Sequence, residues 1–417
     1  MRLSFFDSQT AAPNALKKEV KKLSSYQAHI AKVLELHDAT QPEYSLIHAA
    51  DQGLHDTISA LTKKFSGIKH LVLVGIGGSS LGVEAVHSVL DERKVKLSVL
   101  DTISAYEINL LINELSSIKK KEQLAICVVS KSGGTTETLV NAGILLEALK
   151  AKWGSDIYGQ TIFIGDPGTD FAKTGKKLGA VVVAMPKIVG GRYSVGTEVG
   201  LIPLALLKHD VDAYIEGFLD ASGEGYEQVT AESAARLSLY MQKGFKHNNF
   251  FAFEKRLQTL GAWYRQLFAE SIGKATDRSG KAVTKGMLPT ISTPVELHSI
   301  GQLYLSGFAG VYTDFVTFDD EQFDFSISKQ GVAKTLGRFT AQEVTTAIYG
   351  GVVGAYNEKE LPYRATIFDE NLAYSLGLLM AMRMRETMYV ADLMNLNAFD
   401  QPNVELYKQK TKSILGL

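Results

Sequence analysis

Glycines, hydroxyls and a lysine gather in two short stretches of this 417-residue chain, Gly75-Ile76-Gly77-Gly78-Ser79-Ser80 and Ser130-Lys131-Ser132-Gly133-Gly134-Thr135-Thr136-Glu137-Thr138. Small residues let backbone N–H groups approach an oxyanion and hydroxyls add donors. A helix starting directly afterwards aims its positive dipole end at the same place. Each stretch follows an apolar run, so together they predict one phosphate held from two sides by Ser79, Ser130, Lys131, Ser132, Thr135 and Thr138. The first stretch alone imitates a dinucleotide fingerprint, with Gly75, Gly77 and Asp101 after the next apolar run, yet Ser80 stands at the third glycine position. A second hydroxyl-rich loop has no role in that scheme. Neither stretch carries the Gly-Lys-Ser or Gly-Lys-Thr of a nucleoside-triphosphate loop. The plain alternative for the second is a helix start capped by Ser or Thr, with Lys131 in solvent.

The elements that must position these loops show in the hydrophobic pattern. Apolar runs at His70–Val74, Leu97–Leu100, Ala125–Val129, Thr161–Ile164 and Ala180–Val183 alternate with helical patterns, one of them from about Ser80 to Leu90. Continuous apolar strands separated by helices predict a parallel sheet covered on both faces, with ligands at the carboxyl ends of the strands. A helix-rich stretch over Leu201–Gly217 and the polar Ser222-Gly223-Glu224-Gly225 separate this unit from a second. There a strand near Asn249–Phe253 precedes a helix bearing Leu257, Leu260, Tyr264 and Leu267, another strand lies at Val311–Phe318, and the alternation continues to about Val390. From Asn14 to about Lys64 the apolar spacing is helical, and His29, His37, His48 and His55 within it lack metal-site spacing.

The 44 Lys and Arg balance 45 Asp and Glu, so no net field recruits nucleic acid or an anionic membrane. Cys127, the one cysteine, lies inside an apolar run and reads as a buried core residue. No apolar stretch has the length of a membrane span, and Met1–Asp7 carries no signal-peptide pattern. A cytoplasmic location is expected.

Three further segments, Gly190-Gly191-Arg192-Tyr193-Ser194, Glu270-Ser271-Ile272-Gly273-Lys274 and Asp400-Gln401-Pro402-Asn403-Val404-Glu405-Leu406-Tyr407-Lys408, complete an ordered set. With the two loops they resemble the phosphoglucose isomerase family, in its bacterial type. The resemblance implies two sugar-isomerase (SIS-type) doubly wound α/β domains, at 48–200 and 225–392. A helical N-terminal segment, 1–47, and a C-terminal segment, 393–417, carrying an active-site lysine would flank them. It also implies reversible interconversion of D-glucose 6-phosphate and D-fructose 6-phosphate through a cis-enediol(ate), without cofactor or metal. Glu270 would be the base and Arg192 the cation beside the enediolate. His298 would open the sugar ring, with Lys408 acting on the ring oxygen. A homodimer in which His298 enters the partner's site is implied as well. Asn403 stands where the family usually has Gly, and Asn is the non-glycine residue that most readily enters left-handed backbone space.

The residue chemistry suits these roles. A partly buried carboxylate can carry a proton between neighbouring carbons, and a guanidinium stabilises enediolate oxygens without competing for the proton. The alternative for Glu270 is a surface ion pair with Lys274 one turn later. Two rival functions remain at this level: the same mechanism on another sugar phosphate such as mannose 6-phosphate, and a non-catalytic sugar-phosphate sensor. The sensor has no need of Glu270, Arg192, His298 and Lys408 together.

Overall fold

A computed structural model describes residues 1–6, 13–90, 94–306, 308, 310–319, 323–369 and 371–416. Residues 7–12 of the N-terminal segment and Leu417 thus lie outside the described residues. The first sheet contains β2 (His70–Val74), β3 (Lys96–Leu100), β4 (Leu124–Val129), β5 (Thr161–Gly165) and β6 (Val181–Ala184), all parallel, in the order β3-β2-β4-β5-β6. Helices α4 (Leu81–Leu90), α5 (Ala105–Ser116), α6 (Thr136–Trp153) and α7 (Asp170–Leu178) connect them. Because successive side chains point to opposite faces, Leu71 and Leu73 of β2 enter one core while Val72 and Val74 enter another. The strand order reverses direction at β2 and β4, so the carboxyl ends of these two strands form the crevice where a doubly wound sheet takes its ligand. Both glycine- and hydroxyl-bearing loops leave from those two ends.

In the second sheet, β7 (His247–Ala252), β8 (Leu288–Ser292), β9 (Val311–Phe318) and β10 (Tyr363–Phe368) run parallel. Its edge, β1 (Arg2–Phe6), pairs antiparallel with β10, which gives the order β1-β10-β9-β7-β8. The N-terminal segment is therefore not helical throughout: five residues at its start belong to the second sheet, and only then come α1 (Pro13–Lys22), α2 (Ser24–Leu36) and α3 (Gln52–Lys64). Between the sheets lie α8 (Glu198–Leu206), α9 (Val211–Asp220) and α10 (Glu224–Gln242), followed in sequence by α11 (Gln258–Ile272), α12 (Gly301–Leu305), α13 (Ala341–Glu358), α14 (Leu372–Leu393) and α15 (Glu405–Leu415). The polar Ser222–Gly225 stretch is only a short break, since α10 starts at Glu224.

One hydrophobic core takes residues from both sheets and from α4, α8, α9, α10, α11 and α14, so the two α/β units are packed as one body through their helices. A buried charge network stiffens the second unit. Arg364 on β10 and Arg383 on α14 share Asp314 of β9 and Glu386 of α14, with Tyr264 of α11 bonded to Glu386. Cys127 is fully buried, and burial pushes its thiol up to about 12. Among the described residues no helix is long and apolar enough to cross a membrane.

Candidate active site

Three turns at the carboxyl end of the first sheet meet one helix end from the second. The turn after β2 is a short 3-10 segment, Gly77–Ser79, in which Gly77 has φ +61. It lies against another, Gly191–Tyr193, which follows β6. The approach is close enough to explain a glycine: a Cβ on Gly78 would stand 2.1 Å from the carbonyl carbon of Gly191 and 2.6 Å from the amide nitrogen of Arg192. Gly190 has open space around its Cβ position. The contact that demands a missing side chain is Gly78 against this turn.

Helix α11 returns alongside β7, so Glu270, near its C-terminus, is delivered to the turns of the first sheet rather than to the carboxyl end of its own. There Arg192 Nη1 lies 3.2 Å from Glu270 Oε1, and Gln266, one turn earlier on α11, donates from Nε2 to Glu270 Oε2 at 3.2 Å. The carboxylate is thus gripped on both oxygens while its side chain keeps 27% exposure. Gln266 also reaches Gly77: a Cβ on that glycine would stand 2.8 Å from Gln266 Nε2. The i to i+4 spacing of Gln266 and Glu270 places them on one helix face, which was the available signal for a residue that sequence reasoning missed.

The surface-pair alternative for Glu270 does not hold. Lys274 Nζ donates to the Glu270 backbone carbonyl at 2.9 Å and pairs with Asp400 Oδ1 at 3.0 Å, not with the Glu270 carboxylate. Arg192 is buried, and four hydrogen bonds occupy most of its guanidinium: Nε to Ser271 Oγ at 3.0 Å, Nη1 to Gln401 Oε1 at 2.8 Å, and Nη2 to the carbonyls of Ala398 at 2.6 Å and Asp400 at 2.9 Å. Of five N–H groups, the one left lies on Nη1, the nitrogen beside Glu270. Tyr193, whose phenol burial pushes up to about 12, bonds the same Ser271 Oγ at 2.8 Å. Ser271, Asp400 and Gln401 belong to the motifs but had no role in the sequence reading; the structure makes them the frame of Arg192.

The second loop leads into the start of an 18-residue helix. Thr135 occupies the N-cap of α6, yet its side chain makes no capping bond; instead its Oγ1 accepts from Ser130 Oγ at 3.2 Å. Thr138, in the first turn, is buried with Oγ1 unpartnered. Gly133 adopts φ +65 against Phe171 and Thr169, and Ser132 is exposed. Burial lowers the Lys131 ammonium against the opposing pull of Asp166, and the charges of Arg192 and Lys187 lower it further. Lys131 is thus partly buried, and its ammonium feels Asp166, Arg192 and Lys187 together.

Two predicted residues stand apart from this cluster. His298 ends a 3-10 turn, Pro294–His298, after β8 and is exposed, with no hydrogen bond or ion pair among the described residues. Lys408 lies on α15 with its Nζ on Glu405 Oε1 at 2.8 Å. Asn403 does not use left-handed space: it sits in the 3-10 turn Pro402–Val404 and is not among the positive-φ residues. Its amide instead donates to the Gly273 carbonyl at 3.3 Å. Among the described residues no cluster of three or more His, Cys, Asp or Glu is arranged to hold a metal.

A family model for phosphoglucose isomerase matches residues 54–416. A glucose-6-phosphate isomerase of Clostridium tetani is 30% identical over 368 residues, covering 83% of this chain and 80% of the relative. One of Thermus thermophilus is 31% identical over 357 residues, 84% of each. Among solved structures, a Thermus thermophilus protein described as hypothetical matches with a TM-score of 0.87 at 28% identity, over 99% of this chain and 100% of that one. A glucose-6-phosphate isomerase of Chlamydia trachomatis shares the fold, with a TM-score of 0.81 at 18% identity over 99% and 88%.

Proposed function

The chain belongs to the phosphoglucose isomerase family, and we propose that its chemistry runs on the residues gathered around Glu270 and Arg192. The reaction is the reversible isomerisation of D-glucose 6-phosphate and D-fructose 6-phosphate, a step of glycolysis and gluconeogenesis. The observation that carries the residue assignment is the Glu270–Arg192 pair at 3.2 Å, set beside both loops at the carboxyl end of the first sheet.

In this reading the phosphate docks at the N-terminus of α6. Its oxygens accept from Ser79, Ser130, Ser132, Thr135 and Thr138, with Lys131 supplying charge. A buried hydroxyl without a partner costs about 1–3 kcal/mol; an anion in the uncapped first turn gives Thr138 an acceptor and meets the helix dipole. With the phosphate there, the sugar extends toward Glu270. The carboxylate removes the proton from C2 and delivers it to C1, while the hydroxyl proton moves between O2 and O1. The intermediate enediolate is stabilised by the fixed positive charge of Arg192 and its remaining N–H. Gln266 and Arg192 orient the carboxylate, so little reorganisation is needed during proton transfer.

His298 and Lys408, the ring-opening pair, must come from outside this cluster. Exposed Val295, Ile300, Leu303 and Phe308 lie on either side of His298 in the sequence; a second copy of the chain would cover these apolar residues and take His298 into its own site. Lys408 would turn from Glu405 toward the sugar ring. The same reading takes residues 48–200 and 225–392 as the two α/β units, and the place of the reaction in glycolysis makes the protein cytoplasmic.

The base is tested by Glu270→Gln, which lowers turnover at least ~100-fold while sugar-phosphate binding stays nearly intact. Loss of C2-hydrogen exchange with deuterated water accompanies it; near-normal exchange or turnover refutes the assignment. Mixing Glu270→Gln with His298→Asn chains and letting subunits exchange should restore about a quarter of wild-type activity if sites are shared across a twofold axis. No recovery removes the shared-site reading.

A further inference from the structure

We infer that Lys274 is a positioning residue: through Asp400 it fastens the C-terminal segment to the end of the base-bearing helix and so fixes Arg192 in register with Glu270. This rests on the reading of the Glu270–Arg192 cluster as the active centre and concerns residues given no role in the chemistry proposed there. The Lys274 side chain is 5% exposed and spans three groups. Nζ donates to the Glu270 carbonyl, one of the carbonyls left unpaired where α11 ends, and a cation at that helix end is favoured by the dipole. The same ammonium bonds the Asp400 backbone carbonyl and pairs with its carboxylate.

That Asp400 carbonyl is also an acceptor for Arg192 Nη2 at 2.9 Å. Two cations therefore converge on one peptide oxygen, and each carries a second tie to the segment or to the base helix. On either side, Arg192 takes the Ala398 carbonyl and the Gln401 side chain, and Asn403 reaches the Gly273 carbonyl. Two like charges sharing an acceptor repel, and their proximity is felt: burial lowers the Lys274 ammonium, and Arg192 lowers it further, against the pull of Asp400 and Glu270. The Asp400 carboxylate compensates one of the two charges. Without Lys274 the segment 398–401 keeps its Arg192 bonds and the packing of Ala398 and Phe399 on the core and on Tyr193, but Asp400 loses its tie to the end of α11. The carbonyl of Asp400 that holds Arg192 Nη2 would then be less firmly set relative to Glu270. A shift there moves Arg192 relative to Glu270 but leaves the phosphate loops after β2 and β4 in place.

The expected signature is a loss in the chemical step with binding preserved. Lys274→Met lowers kcat at least about tenfold, since displacements near 1 Å at a reacting group cost up to about 100-fold, while KM for fructose 6-phosphate and inhibition by glucitol 6-phosphate change less than about twofold. Lys274→Arg recovers part of kcat. Asp400→Asn, made at the half-exposed partner, lowers kcat in the same sense, and the double variant is no worse than Lys274→Met alone because both remove one tie. If Lys274→Met fails to fold, Asp400→Asn carries the measurement by itself. Unchanged kcat in Asp400→Asn, losses that multiply in the double variant, or a rise in KM and inhibition constant equal to the loss of kcat would each overturn the inference. Glu270→Gln serves as the separate control: if it stays active the active-centre reading falls, whereas an inactive Glu270→Gln with an unaffected Lys274→Met removes only the role of Lys274.

Discussion

Replacing Gly78 with alanine adds one methyl group at the narrowest point of the site. The added Cβ would sit 2.1 Å from the Gly191 carbonyl carbon and 2.3 Å from its oxygen, whereas ordinary van der Waals contact begins at 3.4 Å. The obstacle is backbone, which cannot rotate aside like a side-chain tip, so the two turns must separate by about 1.3 Å or rotate by an equivalent amount. Gly191 precedes Arg192, and the Gly77 side of the same turn touches Gln266. The displacement therefore reaches both groups that hold the Glu270 carboxylate. Overpacking of this kind costs about 1–3 kcal/mol of stability, leaving a folded protein with a lowered Tm, while a misplacement near 1 Å costs turnover about 100-fold. Activity should thus fall much further than the fraction folded. The assay follows glucose 6-phosphate formed from fructose 6-phosphate through a coupled dehydrogenase, alongside thermal unfolding of the same samples. Gly143→Ala is the companion variant: it lies inside α6 with nothing within 4 Å of the added atom, where alanine favours the helix by about 1 kcal/mol. A Gly78→Ala enzyme with turnover within about twofold of wild type would show that the two turns have slack, and the argument that they fix Arg192 would be wrong.

Two stability predictions concern buried charge. His48 sits between Asp51, 2.8 Å from Nδ1, and Glu198, 3.1 Å from Nε2, and so ties the N-terminal helices to the start of α8. Burial alone would lower its pKa, but Glu198 and then Asp51 outweigh that and raise it. A raised folded value means that the stabilisation is complete below the unfolded value of about 6.5 and is lost as pH rises through the folded one. The Tm difference between wild type and His48→Gln should therefore be larger at pH 6 than at pH 9; a difference that is flat or grows with pH contradicts it. Asp314 is fully buried and accepts from Arg364 at 2.7 Å and Arg383 at 3.0 Å. Asp314→Ala leaves Glu386 alone to compensate two buried guanidinium groups and should destabilise by about 3–5 kcal/mol, seen as a large drop in Tm that an unchanged melting curve would refute.

The strands of the first sheet were legible because both faces are covered: a run such as Leu71-Val72-Leu73-Val74 is apolar at every position and needs no tertiary information to be read. β1 was not. Arg2–Phe6 is an edge strand with only partial burial, and its partner β10 is separated from it by most of the chain, so nothing local marks it. The motifs pointed to Glu270, Arg192 and the loops, but not to how they meet. That Glu270 crosses to the turns of the first sheet depends on the direction of α11 after β7, and that Gly78 rather than Gly190 needs its missing side chain depends on two turns far apart in sequence. Asn403 shows the opposite error. A residue type was matched to a backbone demand that the Pro402–Val404 turn does not make.

Arg192 illustrates why residue identity alone understated the site. A lone guanidinium beside reacting carbons suggests a donor for enediolate oxygens, yet four of its N–H bonds end on Ser271, Ala398, Asp400 and Gln401. Lysine would carry the same charge but offers three donors from one point, and could not satisfy acceptors spread around a planar fork. Its freedom to rotate would also return to the reaction the orientational cost that the fixed fork removes in advance. The residue therefore does two jobs with one group in the proposed reading: its bonds bind the C-terminal segment to α11, and its charge, held still by those bonds, lies 3.2 Å from the Glu270 carboxylate. Any change that loosens the first job degrades the second, which is why substitutions at Lys274, Asp400 or Gly78, none of which need touch the sugar's reacting carbons, are expected to appear in turnover.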